Sequence, residues 1–508
     1  MYFNQAMTAT EQNNFKAEST ITELLKNNRV LLDKQIQKET IVNFVDLCKG
    51  QMKNERFLNL LATLCSCSGE AVNSNQDDTC EILLENEENN KALIMKLQPS
   101  RQPMEYEIVL AEPEFDSRTL TIMVTNLYDT SLKRDDLRIF YYFKALINLN
   151  AEMCLQRNYR GINPLEQLYP VDQVFGCAVN ENIHLLLRAS FTKLLLHLHI
   201  DKDPLENITV PNLARVWPDI VNGQTTLPRS KVPVPVRLMQ LKPFVAKFFS
   251  KLGGIQKAFE NDLNAYIVQL LGIVEAMVRL GFYLDEDDLI TVIDPLISLL
   301  DGSLDILDID QLNRDNSASK LGAAEDQSPS ANNSLSMVAN KKDAEEQILR
   351  AKRYKINESN LLLTDTKNEI FHILQLVLNI QNDVRLTEFL TAFNQEGEMS
   401  PEEVKFAQTV NRSKKLGELF KKNEAEAMGA QFSQKVVGWM NSAYENKKLD
   451  LERISRSDFV CVLLDLILYE NTTLVSNAFK LLIRFFEQKK AIIELAATVQ
   501  ILEEPHEI

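Results

Sequence analysis

The sequence predicts an all-α protein, an α-solenoid of helical hairpins with a small β-hairpin insertion and a disordered linker. Glycine and proline are scarce, with 15 and 16 among 508 residues. Apolar residues recur every three or four positions through most of the chain, and alternating valine-rich runs are few. Several segments consist of two apolar helices around a short polar bridge. These hairpins have no fixed repeat length. They still suggest a solenoid, in which each hairpin buries its apolar face against its neighbours.

The most apolar predicted helix begins in the segment from His184 to Ile220, and we expect the other helices to enclose it. One face carries a stripe at spacings of three and four, formed by Leu187, Phe191, Leu194, Leu195 and Leu198. Further leucines lie partly off that face, which indicates burial on several sides. Pro204 and Pro211 then end the helix and change the chain direction.

The region before this helix is mostly helical as well. Residues 1–18 are polar and are predicted to be a flexible N-terminus, after which hydroxyl caps start a helix near Ser19. Further helices are expected over 40–47, over 54–66 and from about Asp77. Residues 106–110 and 119–124 alternate apolar and polar side chains, which indicates two short strands of a hairpin, with a poorly ordered loop as the alternative.

The region after it continues the helical pattern. Helices are expected from Asp135 to Val179, over 244–284 and over 289–300. Two helical hairpins follow, 365–393 with a bridge at 379–383 and 457–486 with a bridge at 470–472. The predicted organisation is a flexible N-terminus over 1–18, a helical solenoid over 19–301, a disordered polar linker over 302–343, C-terminal helical hairpins over 344–502 and a tail over 503–508.

Charge and hydropathy exclude some classes of function. The formal net charge is −16 and the pI is about 5.0, without the clustered Lys and Arg that a nucleic-acid surface needs. No run of eighteen uncharged apolar residues exists, so direct membrane insertion is not expected. The N-terminus lacks the pattern of a signal peptide, and the seven cysteines form no recognisable framework. We therefore expect a cytosolic chain with free, buried thiols.

The motifs of common enzymes are absent from the sequence. His197, His199, Asp201 and Asp203 are close together, but histidines two positions apart do not share a helix face as zinc helices require. A packed or capping histidine beside solvated acids is the simpler interpretation. No glycine-rich phosphate loop, GxSxG, HExxH or paired CxxC occurs, so we do not expect an enzyme. The residues alone indicate a helical scaffold or interaction protein.

The segment LRASFTKLLLHLHIDKDPLENITVPNLARVWPDI resembles the signature of the RIH domain, found in the inositol trisphosphate and ryanodine receptors, intracellular calcium-release channels. Segments such as ITELLKNNRVLLDKQI, MCLQRNYRGIN and LVSNAFKLLIRFFEQ extend the resemblance along nearly the whole chain, and the balance favours the inositol trisphosphate receptor branch. The matching signature residues, to which we assign a structural role, are Leu187, Arg188, Ala189, Ser190, Phe191, His197, His199, Asp201, Asp203, Pro204, Ala214, Arg215, Trp217 and Ile220.

The resemblance implies an armadillo-like helical domain in the cytosolic body of a tetrameric channel, between the ligand site and the pore. The expected partners are other domains or subunits of that channel, at the cytoplasmic face of the endoplasmic reticulum or a related calcium store. The trefoils and pore of the family have no counterpart in this sequence. The leading hypothesis is thus a regulatory domain that couples ligand binding to gating. The alternative is a free-standing, pore-less adaptor that binds such channels or other proteins.

No cofactor is expected, although the resemblance admits a regulatory calcium ion. The resemblance places such an ion near the end of a helical hairpin, where the matching acids are Glu396 and Glu398, with Arg29 as a neighbour. The sequence Gln-Glu-Gly-Glu departs from the more apolar family spacing at this point. That departure favours a solvated loop over calcium ligation.

Overall fold

The computed structural model describes most of the chain, with gaps. The described residues are 17–50, 54–101, 105–111, 119–128, 137–202, 236–283, 286–307, 353–355, 360–395, 427–445, 451 and 458–498. The chain divides into two compact units. The first comprises 1–206, 232–244 and 265–276, and the second comprises 207–231, 245–264 and 277–508. In the described ranges, no helix is both long and apolar enough to cross a lipid bilayer.

The helices up to residue 200 all belong to the first unit, as the predicted all-α class requires. They are α1 (Ala17–Leu25), α2 (Arg29–Gln35), α3 (Lys38–Gly50), α4 (Glu55–Cys65), α5 (Asn73–Cys80), α6 (Glu87–Leu93), α7 (Arg138–Cys154), α8 (Tyr159–Leu168), α9 (Val171–Val179) and α10 (Leu185–Leu195). Two π-helical turns interrupt this series, π1 (Glu81–Glu85) after α5 and π2 (Leu196–Ile200) after α10. Asparagine caps, such as Asn54 before α4 and Asn158 before α8, accept hydrogen bonds from the first free backbone N–H groups.

The core of the first unit forms where α4, α7 and α10 pack in sequence. Helix α7 contacts both α4 and α10, and α10 also contacts α9. The Phe143 ring of α7 meets the Phe191 ring of α10 edge to face, with centroids 5.9 Å apart. Both side chains are fully buried, as is Leu61 of α4. The predicted enclosure of the helix that begins at Leu185 is therefore confirmed.

Two small antiparallel sheets accompany these helices. Strands β4 (Tyr106–Ala111) and β5 (Thr119–Met123) form the predicted hairpin, and β3 (Lys96–Pro99) pairs with the free edge of β4. Strands β1 (Ser66–Cys67) and β2 (Glu70–Ala71) form a second hairpin that was not predicted. Its turn holds Ser68 and Gly69 at φ values of 53° and 83°, a left-handed conformation typical of two-residue hairpin turns.

The later helices begin with α11 (Val236–Met239) and α12 (Leu241–Leu252), and α13 (Asn261–Arg279) contributes residues to both units. The second unit then contains α14 (Glu286–Leu300), α15 (Leu361–Gln395), α16 (Ala427–Glu445), α17 (Phe459–Leu466), α18 (Thr472–Phe486) and α19 (Gln488–Thr498). One buried cluster joins α15, α16 and α19, and its members are Phe389, Val436, Trp439, Met440, Ala443, Ile492 and Ala496.

The two predicted C-terminal hairpins have different outcomes. The hairpin over 457–486 is confirmed, because α17 and α18 contact each other and Asn471 caps α18. The hairpin over 365–393 is wrong, because residues 361–395 form one continuous helix of 35 residues. The polar bridge at 379–383 contains neither Gly nor Pro. Its asparagines each lower helix propensity by only about 0.5 kcal/mol, which does not break a packed helix.

Residues 302–307, at the start of the predicted linker, are packed in the second unit. A short 3₁₀ turn at Gly302–Leu304 leads to Asp305, which is 2% exposed. Ile306 then exchanges backbone hydrogen bonds with Gln256 and Ala258. The rest of the predicted linker, 308–343, lies outside the described residues.

Candidate functional site

The signature helix α10 carries the first candidate residues, and its polar side chains are buried together with its leucines. His184 caps the helix, and its Nδ1 accepts from the Leu186 N–H at 3.3 Å. Ser190 and Thr192 donate their hydroxyl hydrogens to carbonyls four residues back, at 3.1 and 2.8 Å. Because these hydroxyls are satisfied within the helix, they can be buried at little cost. The described signature residues Leu187, Ala189 and Phe191 lie in the same buried segment.

Arg188 is the charged signature residue of α10, and it is only 5% exposed. Its Nε donates to the Ala178 carbonyl at 3.2 Å, and its Nη2 donates to the Tyr266 hydroxyl at 3.0 Å. The guanidinium also lies over the Tyr266 ring, 4.4 Å from the centroid. The carbonyls that accept from Arg188 are at the C-terminal end of α9, where the helix dipole favours a cation. Arg188 thus ties α10 to α9 and α13.

His197 and His199 lie in π2, the π-helical turn that follows α10. His199 is 3% exposed, and its Nε2 bonds the Tyr169 carbonyl at 2.9 Å. The Nδ1 of His197 is buried without a hydrogen-bond partner. Burial lowers the pKa of both imidazoles to about 4, so both are neutral at pH 7. Within the described ranges, no group of three His, Cys, Asp or Glu residues could hold a metal ion.

The charged residues around π2 form ion pairs with α8 and the residues just before it. Asp201 accepts two hydrogen bonds from Arg157, at 3.2 and 3.1 Å, and both side chains are more than three quarters buried. Lys202 pairs with Glu166 of α8 at 2.6 Å. Asp201 is therefore not the solvated acid that the sequence suggested. The remaining signature residues, Asp203, Pro204, Ala214, Arg215, Trp217 and Ile220, lie outside the described part of the chain.

The N-terminal end of α8 is also held by π1, an arrangement that was not predicted from the sequence. Arg160 of α8 donates to Glu81 at 2.9 Å and to the second oxygen of Glu85 at 3.1 Å, and Lys38 also pairs with Glu81. Hydrogen bonds from Lys38 and Arg160 lower the pKa of Glu81. The partners lie 43 to 79 residues apart along the chain, so no local pattern could reveal them. Helix α8 is thus clasped between two π-helical turns.

The candidate calcium ligands are not brought together by any described contact. Arg29 donates to Asp33 at 3.0 Å and to the Ala71 carbonyl at 2.9 Å, which ties α2 to strand β2. A guanidinium has only donors, so Arg29 itself cannot ligate a cation. Glu396 and Glu398 lie outside the described residues. The regulatory calcium site therefore stays a prediction.

A solvent-facing groove of about 470 Å³ lies on the first unit, next to α10. Each surrounding helix presents residues four apart along one face: Asn59 and Thr63 on α4, Lys144, Asn148 and Glu152 on α7, and Ala189 and Lys193 on α10. The turn between β1 and β2 closes one end. This groove was not predicted from the sequence, although the polar stripe of α7 in an otherwise apolar helix is a visible signal.

Comparison with known proteins identifies a family for part of the chain. Residues 5–96 match the model of the RIH domain. The chain is 30% identical over 221 residues to the inositol 1,4,5-trisphosphate receptor itr-1 of Caenorhabditis elegans, an alignment of 41% of this chain and 7% of the receptor. It is 26% identical over 206 residues to the inositol 1,4,5-trisphosphate receptor-like protein A of Dictyostelium discoideum, 40% of this chain and 6% of that protein.

These matches bear on the resemblance seen in the sequence. The family match precedes the signature segment around α10, and each alignment spans less than a tenth of the relative. The RIH domain of channel receptors is not an enzyme family. The resemblance is thereby confirmed in its coarse form: residues 5–96 match the RIH domain, and about 40% of the chain is similar to two inositol trisphosphate receptor proteins.

Proposed function

We propose that this chain is a regulatory helical region of an inositol trisphosphate receptor-like or ryanodine receptor-like calcium-release channel, and that it helps to couple ligand binding to gating. The RIH match and the two receptor relatives support this proposal. Assembly with other domains or subunits of a tetrameric channel, a place at the cytoplasmic face of the endoplasmic reticulum and the lack of catalytic activity are parts of it. Any response to calcium is a further part.

The observation that carries the proposal is the clasped helix α8. Both π-helical turns contact α8, and ion pairs of Arg160 with Glu81 and of Glu166 with Lys202 hold its two ends. π-Helical turns inside helices are rare and frequently lie at functional sites. Coupling between distant sites requires an element with two arrangements, and we propose that α8, held by ion pairs at both ends, is that element.

The experiment combines fractionation with calcium release in cells that carry edited copies of the gene. We expect the endogenous protein in the membrane fraction, within an assembly far larger than 58.0 kDa. The substitution Arg160→Gln removes the pairs to π1 and should shift the ligand concentration for half-maximal release by about fivefold or more, since coupling energies are about 1–3 kcal/mol. The matched control is Lys91→Gln, which removes an exposed pair with Glu87 on α6.

A free-standing adaptor is the second candidate, and the exposed apolar side chains of α18 and of the turn before it favour it. Leu468, Ile483 and Phe486 are 59%, 53% and 67% exposed, which is typical of a surface that binds another protein. A soluble species near 58.0 kDa, with unchanged ligand response in Arg160→Gln cells, would contradict the channel proposal and support this one.

A further inference from the structure

Helix α18 is apolar on two opposite faces. It contacts α15 and α17, and its buried residues are Leu474, Asn477, Ala478 and Leu481. On the other face, Phe479, Ile483 and Phe486 follow one another at spacings of four and three and form an outward stripe. Their side chains are 46%, 53% and 67% exposed. A helix that is apolar on both sides is normally covered on both sides, so the outward stripe is a surface for another protein chain.

The helix next to α18 adds to this apolar surface. Leu464 of α17 and Leu468 in the turn before α18 are 49% and 59% exposed. Because α17 and α18 contact each other, these leucines and the outward stripe belong to one helical hairpin. Single exposed apolar side chains are common on monomeric proteins, whereas several within one hairpin are typical of an interaction site.

Two charges of opposite sign flank the outward stripe. Lys480 and Glu487 are both exposed and lie seven residues apart, about two helical turns, so they are on the same side of the stripe. Lys480 forms no ion pair with any residue in the described ranges. Glu487 pairs with Lys490 at 3.4 Å, and both side chains are more than half exposed. Such an exposed pair is weak, so Glu487 can take another cation in its place.

The positions of these two charges make the outward stripe complementary to itself. The midpoint between Lys480 and Glu487 lies next to Ile483. If two copies of α18 pack antiparallel about a two-fold axis at this midpoint, Lys480 of each copy faces Glu487 of the other. The same arrangement brings the two Ile483 side chains together and places Phe479 of one copy near Phe486 of the other. The stripe thus matches a second copy of itself in both charge and apolar area.

The net charge of the chain sets a further condition for such a contact. Two copies each carry a formal net charge of −16 and therefore repel each other at long range. A contact between copies is consequently favoured where opposite charges meet locally. Two symmetric pairs of Lys480 with Glu487 meet this condition, because each pair joins a cation of one copy to a carboxylate of the other.

We propose that the outward stripe of α18 binds the same stripe of a second copy of this chain, in an antiparallel two-fold contact that contains two ion pairs of Lys480 with Glu487. The residues of the contact all belong to the second unit. The contact does not depend on the channel proposal, because it forms whether or not a pore belongs to the same protein. One hairpin from each copy makes a small interface, below about 1,200 Å² in total, so the dimer is reversible.

Sedimentation equilibrium of the full chain measures this dimer. We expect the apparent mass to rise from 58.0 kDa towards twice that value at chain concentrations of about 1–100 µM. Lys480→Glu and Glu487→Lys each place like charges opposite each other at two points, and each should weaken dimerisation about tenfold or more. The control Lys91→Glu makes the same change of net charge as Lys480→Glu at an exposed position on α6, and it should leave dimerisation unchanged.

A mixture of the two charge variants distinguishes a second copy from any other partner. In a mixed dimer of Lys480→Glu with Glu487→Lys, every altered charge faces its opposite, so association should return to within about threefold of the wild type. The double variant Lys480→Glu with Glu487→Lys should recover to the same extent by itself, because it exchanges the two charges within one chain.

The apolar part of the contact is tested at the two-fold axis. Ile483→Glu brings two carboxylates together there and should abolish the dimer, whereas Ile483→Leu keeps an apolar side chain of the same size and should preserve it. Circular dichroism checks that each variant stays folded. The proposal is overturned if the wild-type chain stays monomeric over the whole concentration range. It is also overturned if the mixture associates no better than the single variants, or if Ile483→Glu dimerises like the wild type.

Discussion

His197 and His199 are neutral because they are buried, and this has a consequence for stability. Their pKa values fall from 6.5 to about 4 on folding, chiefly through desolvation of the charged form. As the pH falls, each histidine is protonated in the unfolded state, near pH 6.5, before it is protonated in the folded state, near pH 4. The two histidines therefore leave stability intact above about pH 6.5 and reduce it as the pH falls from 6.5 toward 4.

We predict that the free energy of unfolding falls with pH in this window by at most about 3 kcal/mol for each histidine. Urea unfolding followed by circular dichroism at pH 7, 6 and 5 measures it. The variant His199→Gln keeps a donor for the Tyr169 carbonyl and should show a shallower pH dependence than the wild type. His372 is exposed, so His372→Gln should match the wild type. An unchanged slope in His199→Gln would show that this histidine is not buried as described.

At the scale of elements, the long helix α15 is anchored by a buried ion pair. Lys367 and Asp305 are 1% and 2% exposed at their side chains and lie 3.0 Å apart. Lys367 also donates to the Leu299 carbonyl at the end of α14, at 3.2 Å. Burial raises the pKa of Asp305, and the neighbouring Lys367 opposes this shift. One lysine thus ties α15 to α14 and to the segment after it.

We predict that Lys367→Met destabilises the protein by about 3–5 kcal/mol, because it leaves Asp305 buried without its cation. The double variant Lys367→Met with Asp305→Leu should recover much of that loss, since two apolar side chains replace the pair. Denaturant unfolding measures both. If the single variant costs less than about 1 kcal/mol, the pair is not buried in solution.

Some of these elements could be predicted from the sequence and others could not. The period of α10 and the alternation of β4 and β5 are local, so the sequence predicted them. The continuity of α15 was missed because polar residues at 379–383 resemble a bridge, although packing decides whether a helix continues through them. The Arg160 pairs with π1 and the groove depend on contacts between distant segments. Of the groove, only the stripe of Lys144, Asn148 and Glu152 was visible in the sequence.

At the scale of the whole molecule, the local charge of the groove differs in sign from the net charge of the chain. The chain as a whole is acidic, with a pI of about 5.0, while the groove on the first unit gathers lysines. The net charge of a protein governs its solubility and its nonspecific contacts. A local cluster of charges of the opposite sign governs which small ions bind there. The acidic balance therefore does not exclude anion binding, although it does disfavour nucleic acid and anionic lipid surfaces.

The division into two units gives a prediction about energetic independence. His199 and its partner Tyr169 belong to the first unit, and Lys367 and Asp305 belong to the second. The two sets of contacts share no residue. Substitutions that share no partner usually have additive effects, within about 0.5 kcal/mol. We therefore predict that the combined variant His199→Gln with Lys367→Met loses the sum of the two single losses.

A double-mutant cycle measured by urea unfolding at pH 7 tests this prediction. The control cycle pairs Lys367→Met with Asp305→Leu, since these two buried side chains form an ion pair 3.0 Å apart. That cycle should show coupling above about 0.5 kcal/mol, because the two residues contact each other directly. Coupling of similar size between His199 and Lys367 would contradict independence and would mean that a change in one unit is felt in the other at equilibrium.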